Sequence, residues 1–442
     1  MTGTPIADFL DRYAASGTAR LHMPGHKGAA DPLDITEIRG ADSLYEADGI
    51  IRESEQNAAE LFGSAASYYS CEGSSLCIRA MLRLVTQFRP EGTDPVILAA
   101  RNVHKSFISA AALLDVDVRW LPPAEGIRSV CSLSADADAL DSALSQPGFR
   151  PAAVYITSPD YLGGTADIAA LAKICHRHGT RLAVDNAHGA YLRFLPESRH
   201  PLQLGADICC DSAHKTLPVL TGGAYLHLSA SMPREAIERA KTALALFGTT
   251  SPSYLILRSL DLCNGTLAGD YRARLRDTVG KLDSLRAELL TAGVPVQPSD
   301  PLRVTIAAPE GRTGTEMADA LRAAGGECEF ADRDHLVLML TPENPDRDYD
   351  IIRRALLPFR GKASPVRVPL TASLPERVTG IREAVLGDTE VIPSHSALGR
   401  VCAGPLVSCP PAVPVAMPGE RIDENVLALL RYYWLERVEV LR

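Results

Sequence analysis

Five polar side chains fall at or just past the ends of successive apolar runs in this 442-residue chain: His104, Asp160, Asp185, His188 and Lys215. Lys215 sits in Asp211-Ser212-Ala213-His214-Lys215-Thr216-Leu217-Pro218, between the runs ending at Cys210 and beginning at Ala224. A lysine held at a strand end among hydroxyl and imidazole groups can form a Schiff base with an aldehyde while its neighbours hold phosphate and move protons. Alone, Ser-x-His-Lys equally describes a solvated surface lysine. A second constellation is Gly73-Ser74-Ser75, which opens a helical apolar pattern through Leu76, Ile78, Met81, Leu82 and Val85. First-turn N–H groups lack intrahelical partners and the helix dipole is positive there, so such a start suits a phosphate. It also suits an ordinary serine cap. Asp185, ahead of Asn186-Ala187-His188-Gly189, reads by itself as a helix cap after a strand; opposite a pyridinium it would keep its charge.

The elements that must position these groups alternate. Strands are expected at 96–100, 116–121, 152–157, 181–185, 207–210 and 224–228. Helices are expected over 6–20, 53–62, from 73, to about 114, and over 135–146, 166–178, 233–247 and 253–291. A repeating β-α pattern predicts a mainly parallel sheet wrapped by helices, with ligands outside the carboxyl ends of the strands. Beyond it, strands at 302–307 and 335–340 with helices at 314–324 and 347–357 read as a smaller α+β unit. The expected division is an N-terminal segment 1–45, a large domain 46–262 and a C-terminal small domain 263–442. Proline-containing segments at 359–375 and 405–419 read as linkers or crossing loops. His22-Met23-Pro24-Gly25-His26-Lys27 is either a basic surface loop or a segment over an anionic site.

Composition narrows the class. With 46% hydrophobic residues and a net charge of −9, the chain has ample core and no dedicated nucleic-acid or anionic-membrane surface is expected. Ten cysteines without a C-x-x-C pair argue against a zinc ribbon. No leader or membrane-length apolar run is read, so a cytoplasmic protein with free thiols is expected.

The aldehyde that fits is pyridoxal 5'-phosphate. It needs a lysine for the Schiff base, a carboxylate at the pyridine nitrogen, a donor cluster for the phosphate and a flat cover for the ring. Lys215, Asp185, the set Gly73, Ser74, Ser75, Ser212 and His214, and the ring of His104 supply these in turn.

Taken together, Asp185-Asn186-Ala187-His188-Gly189, Ser212-Ala213-His214-Lys215-Thr216-Leu217, Arg101-Asn102-Val103-His104-Lys105-Ser106, His22–Lys27, Gly73-Ser74-Ser75 and Thr249-Thr250-Ser251-Pro252-Ser253-Tyr254 resemble the ornithine/lysine/arginine decarboxylases. Ala397-Leu398-Gly399-Arg400, Pro410–Pro414 and Pro418-Gly419-Glu420 resemble that family's C-terminal domain, so the likeness spans nearly the whole chain. It implies the short form, without an N-terminal receiver-like wing. It implies pyridoxal-phosphate fold type I, an aspartate-aminotransferase-like large domain with a mainly parallel seven-stranded sheet, plus a smaller α+β C-terminal domain. It implies decarboxylation of lysine, ornithine or arginine to the amine and CO2, in amino acid metabolism and polyamine biosynthesis.

By the same resemblance Lys215, His104, Asp185 and His188 are catalytic. Gly73, Ser74, Ser75, Ala187, Ser212, His214 and Thr250 join them in holding the cofactor. His104 would stack on the ring and return a proton, and His188 would sit at the cofactor's hydroxyl side. Thr250 or Ser251 would reach a neighbouring subunit's phosphate in a homodimer or higher oligomer. The partner molecule is an amino acid substrate. The chain departs from the family pattern in four places: Asn186 for Glu in Asp-Glu-Ala-His, Gly222 for a Gln, Cys409-Pro410-Pro411-Ala412-Val413-Pro414 for Tyr-Pro-Pro-Gly-Ile-Pro, and Asp160 for a small hydroxyl residue. Asp160 is compatible with a cationic substrate or with a strand-end cap. The competing readings are an aminotransferase, for which Arg303 is the candidate carboxylate clamp, a β-eliminating lyase, and a catalytically inactive regulatory protein.

Overall fold

A computed structural model describes residues 3–123, 129–132, 136–364, 374–405 and 413–442. Short apolar runs separated by helices build one sheet of seven strands: Ala66–Ser70 (β1), Asp94–Ala99 (β2), Asp117–Trp120 (β3), Pro151–Thr157 (β4), Arg181–Asp185 (β5), Ile208–Asp211 (β6) and Ala224–Leu228 (β7). Their order is β1-β7-β6-β5-β4-β2-β3. All neighbours are parallel except that β7 runs against both β1 and β6. Successive side chains go to opposite faces. Ile97, Ala99, Ala153, Tyr155, Ala183 and Cys210 pack against helices α1 (Gly73–Gln87) and α2 (Lys105–Leu114). Leu98, Val154, Ile156, Leu182, Val184 and Cys209 pack on the other face against Leu171, Ala172 and Cys175 of the helix Ile168–Arg177. Burial on both faces explains why the strands read as continuous apolar runs.

The region after the large sheet carries two further sheets. Val296–Gln297 (β8), Arg303–Ala307 (β9), Phe330–Ala331 (β10) and His335–Met339 (β11) form an antiparallel sheet in the order β10-β11-β9-β8. Thr389–Pro393 (β12) and Arg437–Leu441 (β13) form an antiparallel pair with its own small core. The expected helix 253–291 is two helices, Tyr254–Ala268 and Tyr271–Thr291, because Gly269 leaves helical geometry at ψ −121°. Residue 262 lies inside the first of these. The helix expected over 6–20 ends at Ala15, two residues before Gly17 turns left-handed at φ +68°. The one expected over 233–247 is interrupted at Arg239. Much of the expected linkers 359–375 and 405–419 lies outside the described residues, among them Cys409–Ala412.

Contacts of long sequence range tie the C-terminal part to the large sheet. Just past β2, Arg101 donates from both terminal nitrogens to Glu420, at 2.6 and 2.8 Å. Both side chains are more than nine-tenths buried.

Candidate active site

The carboxyl ends of the strands open into a cavity of about 380 Å³. Gly73, Ser74, Ser75, His104, Asp185, Ala187, His188, Ser212, His214 and Lys215 all line it. Ten of the eleven residues expected at the site are thus brought together. One end is rich in hydroxyls and main-chain donors. Gly73 begins α1 at φ +69°, a conformation that favours glycine, and its N–H donates to the Gly222 carbonyl, itself at φ +98° (2.7 Å). Ser212 Oγ donates to Ser74 Oγ at 2.8 Å, and Ser106 Oγ to Ser75 Oγ at 2.8 Å. His214 is fixed by a 3.0 Å bond between its Nδ1 and the Gly223 carbonyl oxygen.

The other groups stand on the strand ends. Asp185 closes β5, wholly enclosed, its Oδ1 accepting from the Ala187 N–H at 3.1 Å and its Oδ2 from the Tyr155 hydroxyl at 3.4 Å. Burial raises its carboxyl above the usual range, and the charge of Lys215 opposes that rise. Lys215 follows β6 in the short helix Ala213–Thr216, and its Nζ is 3.0 Å from His188 Nε2. Burial lowers the lysine, which makes the neutral amine more accessible, while Asp185 and Glu329 pull the other way. Burial, then Lys215, hold His188 well below its ordinary value. His104 caps α2, its Nδ1 accepting from the Ser106 N–H at 3.2 Å, which leaves Nε2 for a ligand. Burial and the nearby Lys215 bring His104 down to about 4.

Thr250 does not line the cavity. Its loop is pinned at the rim, where the Thr249 N–H donates to Glu72 Oε1 at 2.6 Å. Asp160 is a turn cap: its Oδ1 accepts from the N–H groups of Leu162 and Gly164 at 2.9 and 2.8 Å. Arg303 is fully buried and paired with Asp300, outside the cavity lining. The histidines of 22–27 bond within their own neighbourhood, His22 to Tyr13 and His26 to Asp34, and do not line the cavity. Sequence reasoning missed Glu329 and Tyr161. Glu329 precedes β10 and reaches the cavity from the second sheet, where its Oε1 accepts from the Tyr161 hydroxyl at 2.8 Å. The Tyr161 ring meets His188 edge-on, with centroids 5.2 Å apart. No local pattern marks Glu329; Tyr161 lies four residues past the end of β4, next to the candidate Asp160, which was its only signal.

The donor set suits pyridoxal phosphate. A buried amine and a buried carboxylate share one cavity with a serine-rich helix start, and three enclosed polar atoms, Asn102 Oδ1, Thr157 Oγ1 and His188 Nδ1, have no partner among the described residues. Such atoms call for a polar ligand or solvent.

Comparison with known proteins agrees. The model for the Orn/Lys/Arg decarboxylase major domain matches residues 32–343, and that for the family's C-terminal domain matches residues 369–438. The uncharacterised protein YaaO of Bacillus subtilis is 31% identical over 97% of this chain and 94% of its own. An arginine decarboxylase of Halalkalibacterium halodurans is 28% identical over 97% of this chain and 93% of its own. The crystal structure of the lysine decarboxylase LdcF of Francisella novicida superposes with a TM-score of 0.82, covering 100% of this chain and 81% of its own at 16% identity, a likeness of fold. The fold is that of the type I pyridoxal-phosphate enzymes. The chain belongs to the Orn/Lys/Arg decarboxylase family and is a pyridoxal-phosphate-dependent amino acid decarboxylase.

Proposed function

We propose that this enzyme decarboxylates arginine in preference to lysine or ornithine, and that the residues lining the strand-end cavity divide the work as follows. When bound, pyridoxal phosphate supplies an aldehyde for an amine and an electron sink for the carbanion left by CO2. The observation that carries the reading is the shared cavity of Lys215, Asp185 and the serine-lined start of α1.

Lys215, lowered by burial, would be the amine that holds the aldehyde. Asp185 holds a proton on the pyridine nitrogen. Ser74, Ser75, Ser212 and His214, with the main-chain N–H groups of Ser74 and Ser75 in the first turn of α1, would bind the phosphate. His104 covers the ring with Nε2 free to return a proton to the substrate carbon. His188, kept neutral by burial and 3.0 Å from Lys215 Nζ, accepts a hydrogen bond from the lysine and with Ala187 would lie on the side of the ring hydroxyl. Glu329 accepts from the substrate's distal cation; a guanidinium can pair with it bidentately. The reading takes arginine first because several relatives matching over nearly full length, among them those of Halalkalibacterium halodurans and Bacillus subtilis, are named arginine decarboxylase.

The same proposal places the enzyme in the cytoplasm, in polyamine biosynthesis, as a homodimer whose Thr250 loop reaches the neighbouring subunit's phosphate. The pinned Thr249–Ser251 rim and the exposed Leu21, Met23, Leu220 and Leu246 support an assembly of copies. The division at 1–45, 46–262 and 263–442 is kept as a working description, supported by the separate sheets. Among the described residues no helix is long and apolar enough to cross a membrane.

The test is a visible spectrum of purified protein, then arginine, lysine and ornithine supplied separately with the amine product measured. A yellow band that vanishes in Lys215→Ala, with amine from arginine, supports the proposal. A yellow band with amine from lysine or ornithine alone moves the substrate. A protein that cannot take up pyridoxal phosphate refutes the assignment of the site.

A further inference from the structure

On the sheet face opposite Asp185, a second polar cluster is closed off from solvent. Asp211, the last residue of β6, points there because it is one residue out of phase with Cys210, whose side chain faces Asp185. Its Oδ1 accepts from Asn186 Nδ2 at 2.7 Å. Its Oδ2 lies 3.0 Å from His200 Nε2 and 3.4 Å from His227 Nε2. All four side chains are fully enclosed. Beyond them, His227 Nδ1 bonds with Ser67 Oγ at 2.7 Å, and the Phe62 ring packs 4.4 Å from the His227 ring and 5.6 Å from that of His200. The Cys209 thiol and Tyr225, whose ring stacks on His227 at 5.3 Å between centroids, are further titratable neighbours.

None of these groups enters the cavity, yet each end of the Asn186–Asp211 bond is one residue from a cavity group. Asn186 follows Asp185, and Asp211 precedes Ser212. The bond therefore spans the ends of two neighbouring parallel strands, reinforced on the main chain by the Asn186 N–H donating to the Cys210 carbonyl at 3.0 Å. Asn186 has little freedom: a Cβ placed on Gly189 would come within 2.0 Å of its Oδ1. A buried carboxylate needs paired charge or hydrogen bonds; the Asn186 amide and the His200 imidazole supply bonds to Asp211, with His227 Nε2 close by at 3.4 Å. Asn186 is also where the chain departs from Asp-Glu-Ala-His, so the negative charge at this junction comes from β6 and not from position 186.

We propose that Asp211 is a positioning residue: held by His200 and His227, it clamps Asn186 and so fixes the spacing between Asp185 and Ser212, the groups at opposite ends of the cofactor. The inference rests on the reading of Asp185 and Ser212 as cofactor-holding residues. Because the clamp is a hydrogen bond to a buried charge, its loss is expected to weaken cofactor binding about tenfold. Substituting carboxylate for amide at 186 sets two carboxylates at bonding distance and is expected to weaken it further. Transposing the pair restores one donor against one acceptor.

The experiment uses full-length wild type, Asp211→Asn, Asn186→Asp and the double variant Asn186→Asp/Asp211→Asn. The dissociation constant of pyridoxal phosphate and the position and pH titration of the visible band are measured well below the melting temperature of each. The expected result is about tenfold weaker binding in Asp211→Asn, a larger loss and a displaced band in Asn186→Asp, and recovery in the double relative to Asn186→Asp. A merely structural cluster would lower the melting temperature and leave the dissociation constant and band unchanged in the folded variants; that outcome overturns the proposal. If Asp211→Asn does not fold, Asn186→Ala carries the test, since it deletes the 2.7 Å bond and leaves Asp211 both imidazoles. Unchanged affinity there overturns the clamp as well. A wild type that forms no visible band fails the underlying site assignment instead, so the two failures are distinguishable.

Discussion

Removing the Glu420 carboxylate should loosen the C-terminal part of the chain and disturb the cavity some distance away. Arg101 and Glu420 are separated by 319 residues, form a two-point pair at 2.6 and 2.8 Å, and leave only 8% and 4% of their side chains exposed. Glu420 also accepts from the Met417 N–H at 3.1 Å, and the Arg101 guanidinium lies 5.8 Å from the Trp120 ring centroid. Glu420→Ala would leave a buried guanidinium unpaired, and breaking a buried ion pair in this way costs about 3–5 kcal/mol. The deficit falls on the docking of the segment around 417–422 against the loop 101–104, which carries Asn102 and His104 into the cavity. Native-state hydrogen exchange reads this directly: amides in β12, β13 and the helix Glu424–Tyr432 should lose protection by a similar amount, while those of β4 and β5 do not. Pyridoxal phosphate should also bind more weakly. Replacing both partners, Arg101→Met with Glu420→Leu, should be milder than Glu420→Ala, because no charge is stranded. A Glu420→Ala protein with protection lowered by less than about 1 kcal/mol, the range of an exposed pair, would refute the reasoning.

Glu329→Gln should raise KM for the basic substrate about tenfold or more by removing one charged partner of the distal cation, with the visible band unchanged; unchanged KM would remove Glu329 from substrate recognition. His104, held near 4 in the folded protein against 6.5 ordinarily, contributes stability that is fully present above pH 6.5. That stability is lost as pH falls toward 4, because the unfolded chain takes up the proton first, and the loss approaches roughly 3 kcal/mol. Denaturant titrations of cofactor-free protein should show a smaller loss over that window in His104→Asn. Gly222→Gln, which restores the residue common in the family, should lower the melting temperature: the site sits at φ +98°, and a Cβ there would come within 2.8 Å of the Cys71 carbonyl oxygen. The left-handed backbone alone accounts for about 1–2 kcal/mol of that loss.

The parts of this protein written in its sequence are those set by local periodicity and local chemistry. Apolar runs buried on both faces gave six of the seven strands of the large sheet, missing Ala66–Ser70, whose Ser and Tyr residues form no apolar run. The parallel order of β2 to β6 then put Asp185, His188 and Lys215 at one edge, since β-α-β connections return those strands in the same direction. The start of α1 could be read locally as a candidate phosphate site or as an ordinary serine cap, because Gly-Ser-Ser before an apolar helix has a physical meaning without any partner. The alternation of small serines and a lone lysine could not say which neighbour each would meet. Glu329 enters the cavity from a different sheet, 114 positions after Lys215, and nothing in Cys328-Glu329-Phe330 records that approach. Asp160 read either as a ligand for a cationic substrate or as a strand-end cap, and the turn through Gly163 and Gly164 folds the Leu162 and Gly164 N–H groups onto its carboxylate, so it is the cap. The Arg101–Glu420 pair and the cluster around Asp211 likewise depend on which surfaces close over one another, because a buried charge is stable only where packing delivers its partners. Sequence sets which chemistry a strand end can carry; enclosure and partners across the fold determine which of those groups perform it.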